Sequence, residues 1–379
     1  MDAKSFIENS PGAIHEGRIA FVPDPLPPRW EFPPTLWPLL AEAKQQIGIL
    51  EGIGRTLPNP AILLRPLADR ESLKSSSLEG TYVTSKELLL FELAPRTARS
   101  ENDPANDRRE VLNYRKALEH GTTSALPLSL RLLKELHGIL LKGVRGRDRS
   151  PGEFRRVQVA IGRSEKFIPP PPERVMECLD PLERYWHAVP SPYDPLVDCF
   201  LIHYQFETIH PFVDGNGRVG RLLLAIMLLE RCGLSKPWLY MSEFFERNRD
   251  EYFQRLFDVS TKADWSGWIA FCLRGTVEQA KDTIQRCERL RSLRDKFMEK
   301  LQDVGGSVRL GSIVDRMFYS PFIRVAEIQK EHGITYPTAS ADIQRLVKAG
   351  ILQALPNVRP KTFYCPDVLN VAYDRLDES

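Results

Sequence analysis

Residues 210–221 read HPFVDGNGRVGR, and the chain passes directly from them into the apolar run VGRLLLAIMLLERCG, residues 219–233. The Gly-Asn-Gly segment at 215–217 predicts a flexible turn with a helix directly behind it. Because the following run is apolar on every face, it is typical of a central buried helix, and Gly233 predicts its end. This stretch therefore predicts a mainly α-helical protein whose central helix begins at the turn.

The same loop carries the groups that phosphoryl-type transfer needs. The N–H groups and the dipole at a helix N-terminus bind phosphate. Arg218 and Arg221 are three residues apart, so they lie on one helix face and can clamp further phosphates. Asp214 is a hard oxygen ligand that suits Mg²⁺. His210, with an unperturbed pKa of about 6.5, suits general-base work near neutral pH.

Helical periodicity continues on both sides of this loop. It predicts helices at about 36–54, 65–92, 108–120, 128–142, 173–188 and 193–208, and more within 242–300. The segment RRVQVAIG, residues 155–162, predicts a strand because it alternates β-branched residues between glycines, and the prolines at 169–172 end this hairpin. Residues 1 to about 40 are rich in proline and predict an extended arm lying on the body.

The last eighty residues have a different pattern. FIRVAEIQKEHG, ITYPTASADIQRLVKAGIL and QALPNVRPKTFYC predict helix, turn, helix and hairpin, the order of a winged helix. Thr335 is placed to cap the second helix, and Pro337 lies in its first turn, where a missing N–H costs nothing. The predicted boundary lies near Gly305 and Gly306.

Composition describes an ordinary globular chain of 379 residues with 42% hydrophobic residues and a net charge of +2, so nothing requires a nucleic acid or an anionic membrane as partner. No stretch reaches the ~20 apolar residues of a membrane span. The start lacks the pattern of a signal peptide. The six cysteines lie far apart and form no CxxC pair, which predicts reduced, mostly buried thiols in a cytoplasmic protein and no structural zinc.

The segment 210–221 resembles the signature of the Fic family, HPFx(D/E)GNGRxxR, without a mismatch. Residues 152–172, GEFRRVQVAIGRSEKFIPPPP, are similar to the Fic flap, and RNRDEYF at 247–253 extends a resemblance that covers about residues 35–275. It implies a Fic helical bundle with a β-hairpin flap. It also implies a protein adenylyltransferase that moves AMP from ATP to a Ser, Thr or Tyr hydroxyl of a target protein.

The resemblance also implies a role for each residue of the site. His210 deprotonates the hydroxyl, Asp214 holds Mg²⁺, and Arg218 and Arg221 contact the outer phosphates of ATP. The target protein docks on the flap, residues 155–168. The remaining nucleotide contacts are Gly215, Asn216 and Gly217 in the turn, Val219 and Gly220 behind it, Val159, Ala160, Ile161 and Gly162 in the flap, and Tyr252.

A second motif, Ser75-Ser-Ser-Leu-Glu79-Gly80, resembles the Fic inhibitory motif (S/T)xxxE(G/N). It lies N-terminal to the core, where the family places it. The resemblance implies that Glu79 pairs with Arg221 and denies the γ-phosphate its clamp. The carboxylate would also repel that phosphate directly.

Three predicted domains follow from these patterns: an N-terminal arm with helices and the inhibitory motif (1–107), a catalytic core (108–300) and a winged helix (306–379). The main alternative is a DNA-binding regulator, but residues 301–379 hold nine Lys and Arg against nine Asp and Glu, which argues against a basic DNA-binding face. A protein-binding or homo-oligomer role for this domain stays open. So do transfer of phosphocholine or UMP and removal of AMP, whereas the retained Gly217 argues against the phosphorylating Doc branch.

Overall fold

The computed structural model consists mainly of helices, as the sequence predicts. It describes residues 11–15, 20–56, 60–100, 102–124, 126–144, 150–162, 166–188, 190–303, 305, 307–356 and 358–373. This part of the chain contains fifteen α-helices and five short strands. It divides into two compact units, one of Met1–Glu51, Glu71–Val83 and Thr97–Ala280, the other of Gly52–Arg70, Thr84–Arg96 and Lys281–Ser379.

The first unit is a helical bundle. Its helices are α4 (Ala105–Thr123), α5 (Leu130–Leu140), α6 (Val175–His187), α7 (Pro195–Ile209), α8 (Asn216–Arg231), α9 (Ser242–Arg247) and α10 (Arg249–Lys262). Three further helices contribute residues to both units, namely α1 (Trp37–Thr56), α2 (Ala61–Leu78) and α11 (Trp265–Asp303). The predicted 65–92 helix is two helices, because α2 ends at Leu78 and Gly80 takes a positive φ of 89°.

Helices α7 and α8 pack against each other at the centre of this unit. Nearly every residue of α8 from Asn216 to Leu228 is buried, which confirms the prediction of a central helix. Asp194 caps the start of helix α7, since its carboxylate accepts the Leu196 N–H at 3.0 Å. Pro195 fits the first turn because its missing N–H has no intrahelical acceptor there. Residues 210–215, HPFVDG, form the loop that joins the two helices.

The N-terminal arm contains a hairpin that proline content alone did not indicate. Strands β1 (Gly12–His15) and β2 (Ala20–Pro23) pair antiparallel, and β2 is buried. The Phe21 N–H donates to the carbonyl of Ile168 at 2.8 Å, so the arm is fixed beside the flap segment. The arm is therefore extended and lies on the body, as predicted, but part of it is a true strand pair.

The predicted β-hairpin at 155–162 is wrong in its detail. Within the described residues of this segment the only ladder contact is a bridge between Ile161 and Phe167. The returning chain passes through the prolines at 169–172, which have no N–H to donate, so a longer ladder cannot form. The side chain of Gln158 replaces ladder bonds by donating to the carbonyls of Val159 and Pro169 at 3.1 and 3.0 Å.

The second unit contains α3 (Ser85–Leu93) and the C-terminal elements. These are α12 (Val308–Tyr319), β3 (Phe322–Arg324), α13 (Val325–His332), α14 (Tyr336–Lys348), β4 (Gln353–Ala354), β5 (Thr362–Tyr364) and α15 (Pro366–Tyr373). The strands pair antiparallel in the order β3-β5-β4. The helix, turn, helix and hairpin order is confirmed, and Thr335 caps α14 as predicted. Residues 322–324, predicted as helix, form a strand because they pair with β5. The winged-helix assignment itself stays a prediction.

The two compact units divide the chain differently from the three predicted domains. Residues of the early helices bond to the C-terminal part within the second unit: Tyr373 donates to Asp69 at 3.0 Å, and Arg70 donates to Asp282 at 3.0 Å. Arg324 reaches the Leu93 carbonyl in the same way. Such long-range pairs cannot be read from local sequence patterns, and the predicted limits 1–107, 108–300 and 306–379 remain untested as domains.

Other structural expectations concern membranes and thiols. None of the helices in the described ranges has both the length and the apolar character to cross a bilayer. Five of the six cysteines are buried and Cys232 is half-buried, which confirms that the thiols are mostly interior.

Candidate active site

His210 lies at the C-terminal end of α7 in a left-handed conformation, with φ 51° and ψ 60°. This backbone geometry turns the chain from α7 into the loop and sets the imidazole at the loop's start. Its Nδ1 lies 3.2 Å from the carbonyl of Glu207. Because a carbonyl can only accept, Nδ1 carries the proton and Nε2 keeps a free lone pair. Burial lowers the pKa of His210 to about 4, so the imidazole is neutral at physiological pH.

The N-terminus of α8 is held rigid by its own side chains. Asn216 accepts the Phe212 N–H at 2.7 Å and donates to the Phe212 carbonyl at 2.9 Å, so its amide staples the loop. Gly215 caps the helix with φ 77°. The backbone N–H groups of Asn216, Gly217 and Arg218 donate to no described residue, as expected for the first turn of a helix. This end of α8 therefore offers preorganised donors to an anion.

Arg218 and Asp214 lie together at this helix end. The nearest atoms of the two side chains, Nη2 and Oδ1, are 3.8 Å apart, and Arg218 Nη1 is 3.7 Å from Glu110 Oε2. These distances exceed those of a direct hydrogen bond. Arg218 Nε is buried and has no partner among the described residues. The guanidinium is thus placed at the site without being tightly committed to a carboxylate.

Arg221, one turn further along α8, is buried and tightly bound. Its Nε donates to the Ser75 hydroxyl at 2.8 Å, and its Nη2 donates to the Ser75 carbonyl at 2.9 Å and to Glu79 Oε1 at 2.7 Å. The Arg221 side chain is only 2% exposed, whereas that of Glu79 is 35% exposed. The predicted contact between Glu79 and Arg221 is therefore present, and Ser75 shares in it.

The pKa of Glu79 lies below its usual range. Burial acts to raise it, but the opposite charge and the hydrogen bond of Arg221 outweigh burial, so Glu79 is a carboxylate at neutral pH. It lies very close to the helix backbone, because a Cβ at Gly217 would overlap Glu79 Oε1. Glu79 and the turn thus fit together in this arrangement only when position 217 has no side chain.

Two further carboxylates, Glu71 and Glu207, lie close to these residues. Glu71 accepts from the Tyr114 hydroxyl at 2.8 Å and from the Ser242 hydroxyl at 2.5 Å, and burial raises its pKa. The second, Glu207, packs against Gly220, where a Cβ would overlap its Oε1. That oxygen has no partner within the described part of the chain, and burial raises the pKa of Glu207 to about 7.

The flap segment is fastened to the loop by two side chains. His137 accepts the Gly152 N–H on Nδ1 at 2.8 Å, and its Nε2 lies 3.0 Å from the Asp214 carbonyl. Since Nδ1 accepts, Nε2 carries the proton and donates. Arg155 is buried and donates to the carbonyl of His210 at 2.8 Å. Both side chains therefore join the start of the flap to the loop that carries His210 and Asp214.

Two protein-family models match the segments that contain these site residues. The model of the Fic/DOC family N-terminal region matches residues 37–123, and the model of the Fic/DOC family matches residues 127–228. These ranges include α2 with Glu79 directly behind it, the loop 210–215 and the two arginines at the start of α8. The chain belongs to the Fic/DOC family.

Relatives of this Fic protein include proteins named adenylyltransferases. A protein adenylyltransferase Fic of Drosophila melanogaster is 29% identical over 177 residues, which are 46% of this chain and 34% of that protein. A probable protein adenylyltransferase of Aquifex aeolicus is 30% identical over 190 residues, 50% of this chain and 54% of that protein. The chain thus spans about a third of the fly protein and about half of the bacterial one.

Solved structures show the same fold. A Fic family protein from Desulfovibrio desulfuricans matches 90% of this chain and 98% of its own, with a TM-score of 0.59 at 19% identity. A fragment of Fic-1 from C. elegans matches 67% of this chain and 74% of its own, with a TM-score of 0.55 at 19% identity. At these identities the likeness concerns the fold alone.

Several residues that the sequence assigned to nucleotide binding lie in the core of this Fic protein. Val219 and Gly220 are buried on the inner face of α8. Tyr252 is 1% exposed and bonds to His203 at 2.8 Å, so it does not line an open pocket. The exposed aromatic ring of that turn is Phe253. Adjacent positions on a helix point about 100° apart, and the residue type did not reveal which one faces outward.

The flap residues of the prediction are reached by solvent. Val159 and Ile161 are half-buried, and Ala160 and Gly162 are exposed. Residues 163–165 of the predicted docking segment lie outside the described residues. The sequence reasoning missed Arg155, His137 and Glu207. Only Glu207 had a usable signal, since it lies one helical turn before His210.

The contact at Gly217 gives a prediction about stability. We expect Gly217→Ala to destabilise the protein by about 1–3 kcal/mol, because the new methyl group overlaps Glu79 Oε1. In a Glu79→Gly background the overlap with the carboxylate is gone and only the contact with Arg221 Nη1 at 2.9 Å remains, while alanine gains up to ~1 kcal/mol of helix propensity, so the cost should be smaller. Urea unfolding of the two single variants and the double variant measures the difference. An equal cost in both backgrounds would contradict the contact.

Proposed function

We propose that this chain is an autoinhibited protein adenylyltransferase, which transfers AMP from ATP to a Ser, Thr or Tyr hydroxyl of a protein target. One observation carries the proposal. A neutral histidine with a free Nε2 stands at one end of a short loop, and the open N-terminus of a buried helix stands at the other. These are the base and the anion site that nucleotidyl transfer needs, six residues apart.

The triphosphate of ATP fits the start of α8. The free N–H groups of 216–218 and the helix dipole receive phosphate oxygens, and Gly217 lets them approach the backbone closely. Arg218, which has no tight carboxylate partner, contacts one phosphate. Arg221 contacts the outermost phosphate once Glu79 has moved away. Fixed donors of this kind stabilise the charge that builds up during transfer.

Asp214 is the residue that would hold Mg²⁺. No group of three or more ligating side chains occurs in the ranges that the structure describes, so a cage made by protein alone is not indicated. A single carboxylate fits, because Mg²⁺ keeps waters and is bound by one or two carboxylates together with substrate phosphates. The Asp214 side chain is 34% exposed and can face such an ion. When bound, Mg²⁺ would offset the negative charge of the phosphates.

His210 acts on the hydroxyl of the target. Its Nε2 takes the proton as the hydroxyl oxygen forms a bond to the α-phosphorus of ATP. The bond between that phosphorus and the bridging oxygen breaks, and pyrophosphate leaves with the electron pair. A base whose pKa is about 4 is fully unprotonated at neutral pH. The loop geometry compensates for its modest basicity by holding the reactants together.

Glu79 keeps this site at rest. Its carboxylate accepts a hydrogen bond from Arg221 and lies over the first turn of α8, where the outer phosphates of ATP would have to bind. Ser75 fixes the other face of the guanidinium, so the inhibitory contact is made by both ends of the motif. Gly80 ends the helix directly behind Glu79 and thereby sets the position of the carboxylate.

The flap offers its backbone to the target. No described residue accepts a hydrogen bond from the N–H groups of Val157, Val159 or Ala160, and Val157 is 54% exposed. An extended segment of a target can pair with such an edge by β-augmentation, which sets position more than identity.

We expect Val159→Pro to lower modification of the target by about 2–10-fold for each backbone bond lost. Ile161→Pro should lower it as well, because it removes the flap's own bond from the Ile161 N–H to the Phe167 carbonyl at 2.8 Å. ATP affinity should change less, because the phosphate seat lies on α8. Transfer of labelled AMP and calorimetry with ATP measure the two effects in the Glu79→Gly background. Val159→Ala, which keeps the backbone N–H, is the control. Unchanged target modification in both proline variants would rule out docking by the flap.

Intact mass spectrometry tests the chemistry itself. The chain is incubated with ATP and Mg²⁺, wild type beside Glu79→Gly, and we expect the added mass of one or more AMP groups in the variant. An added phosphate or UMP mass from the matching nucleotide would instead assign another Fic chemistry. Loss of AMP from a premodified protein would assign a removing role to Glu79.

A DNA-binding regulator is the second candidate, and the charges of the second unit argue against it. Arg309 pairs with Asp342 at 2.6 Å, and Arg316 pairs with Glu331 at 2.7 Å. Arg294 pairs with Asp315 at 2.6 Å. Cations neutralised in this way add little to phosphate binding. Strong salt-dependent binding of the full chain to duplex DNA would reverse this judgement.

A further inference from the structure

Among the described residues, the buried guanidinium of Arg155 bonds to backbone carbonyls alone. Its Nε donates to His210 at 2.8 Å, its Nη1 to Val157 at 3.3 Å, and its Nη2 to Pro170 and, at 3.4 Å, to Ile209. The side chain is almost entirely buried. Its own N–H donates to the Pro211 carbonyl at 2.8 Å. One residue therefore bonds to both arms of the flap and to Ile209, His210 and Pro211, where α7 ends and the loop begins.

This arrangement differs from an ordinary ion pair. No ion pair joins Arg155 to a carboxylate in the described part of the chain, although Glu173 acts on it through its charge. Burial lowers the pKa of Arg155 to about 10, so it is still charged at neutral pH. A buried charge is normally paired with an opposite charge. Here carbonyl dipoles take that role, and they can do so only while flap and loop keep their positions. The charge is therefore stabilised by one specific conformation.

We propose that Arg155 is a positioning residue that couples the flap to His210, so that seating of a target on the flap sets the placement of the base. The proposal rests on the proposed role of His210. The Val157 and Pro170 carbonyls lie on the two arms of the flap, and the His210 carbonyl belongs to the base itself. Movement of either arm therefore changes the bonds that hold His210 in its left-handed conformation.

Arg155 also acts on His210 through its charge. A guanidinium beside an imidazole disfavours the imidazolium, so Arg155 helps to hold the pKa of His210 below its usual value. Position and charge can be separated by two substitutions. Arg155→Lys keeps the charge but loses the fork that reaches several carbonyls at once, whereas Arg155→Gln loses the charge as well.

The experiment measures hydrogen exchange and the His210 titration in the full chain. Exchange is followed at the two flap amides that bond each other's carbonyls, those of Ile161 and Phe167, and in the end of α7 (206–210), and the imidazole is followed by NMR. We expect both Arg155 variants to exchange at least tenfold faster in both segments. We expect the pKa of His210 to rise in Arg155→Gln and to stay nearly unchanged in Arg155→Lys.

Two control variants make the result specific. Gln158→Ala removes side-chain bonds to the carbonyls of Val159 and Pro169, so it should speed exchange in the flap alone. Arg231→Met removes another guanidinium that bonds a backbone carbonyl, that of Trp186, away from the flap. Its effect shows what general loss of packing looks like.

Three results of the exchange experiment would overturn the proposal. Faster exchange in the flap alone, as in Gln158→Ala, would show that Arg155 does not reach the base. Exchange raised evenly over the chain, as in Arg231→Met, would give Arg155 a general packing role. Unchanged exchange in both segments would exclude the coupling.

Transfer of AMP is measured separately in the Glu79→Gly background. We expect Arg155→Lys to lower the rate by about 10–100-fold with a smaller change in ATP affinity, because misplacement of reacting groups costs rate first. If the Glu79→Gly parent transfers no AMP while the exchange pattern holds, the proposed function fails and the coupling stands. If the parent transfers AMP and Arg155→Lys keeps the full rate, the coupling has no role in transfer and the proposal fails.

Discussion

Replacing Glu79 with glycine should raise transfer of AMP by about 100-fold. The reason is geometric. With Glu79 in place, Arg221 Nη2 is 2.7 Å from a carboxylate and is not available to a phosphate. An ATP that binds with its outer phosphate displaced carries its α-phosphorus away from the line of attack, and a misplacement of about 1 Å can cost ~100-fold in rate. Removing the carboxylate leaves Arg221 available to the outer phosphate, so that ATP can bind with its α-phosphorus in line with the attacking hydroxyl.

The free energy of unfolding should change little in Glu79→Gly. Arg221 keeps both bonds to Ser75, and the Glu79 side chain is already a third exposed, so water can replace it. ATP should then raise the unfolding temperature more in Glu79→Gly than in wild type, since a ligand at a given concentration stabilises the folded state more when its dissociation constant is lower. Radiolabelled ATP at saturating Mg²⁺ measures the rate, and a thermal shift measures the binding.

Glu246 supplies a matched control, because from α9 it contacts α2, the helix that Glu79 directly follows. It pairs with Lys74 at 3.2 Å and accepts from Ser77 at 3.1 Å, so it fixes α2 without contacting Arg221. Glu246→Gln should leave the rate at its resting level, and Glu79→Gln should release it in part, because the amide keeps a bond but loses the charge. Equal activity of wild type and Glu79→Gly would mean that the contact is not inhibitory.

The parts of the molecule that sequence reasoning predicted are those with local causes. The buried helix α8 follows from its unbroken apolar run, and the turn before it follows from its glycines. The contact between Glu79 and Arg221 joins residues 142 positions apart, and no spacing rule connects them. It was predicted only because the inhibitory motif and the signature loop resemble those of one family.

The parts that were missed depend on what a segment meets in space. RRVQVAIG has the composition of a strand, but its neighbour is a run of prolines that cannot donate to a ladder. Arg155 instead bonds the carbonyls that the missing ladder leaves free. Nothing in the sequence distinguishes this arginine from Arg156 beside it, which is exposed. The distinction is made by the end of α7, fifty-five residues away.

Replacing His210 should abolish transfer while ATP binding survives. In the proposed mechanism the imidazole acts on the target hydroxyl, and the contacts proposed for ATP lie on α8 and not on His210. Loss of a general base lowers rates by about 100- to 10,000-fold. The variant is best made in the Glu79→Gly background, where the parent is active enough for such a fall to be measured.

The backbone at this position decides which substitution is informative. His210 has a φ of 51°, a region that asparagine tolerates much better than alanine does. His210→Asn therefore removes the base with less strain on the loop, and His210→Ala is compared with it. If alanine alone weakened ATP binding, the loss would come from the backbone, whereas loss in both variants would contradict the assigned role.

The pH dependence adds a second criterion for the same residue. Burial lowers the pKa of His210 from its usual value to about 4, so the unprotonated form persists as the pH falls through 6. We expect the Glu79→Gly parent to keep its rate down to about pH 5 as far as this group is concerned, and to lose it as His210 becomes protonated near pH 4. If the base were an exposed histidine, the enzyme would lose half its activity near pH 6.5.

Calorimetry with ATP and the rate of AMP transfer are measured across this pH range, and together they separate the role of the base from that of the nucleotide site. A fall in ATP affinity as large as the fall in rate would show that His210 serves the nucleotide and not the hydroxyl.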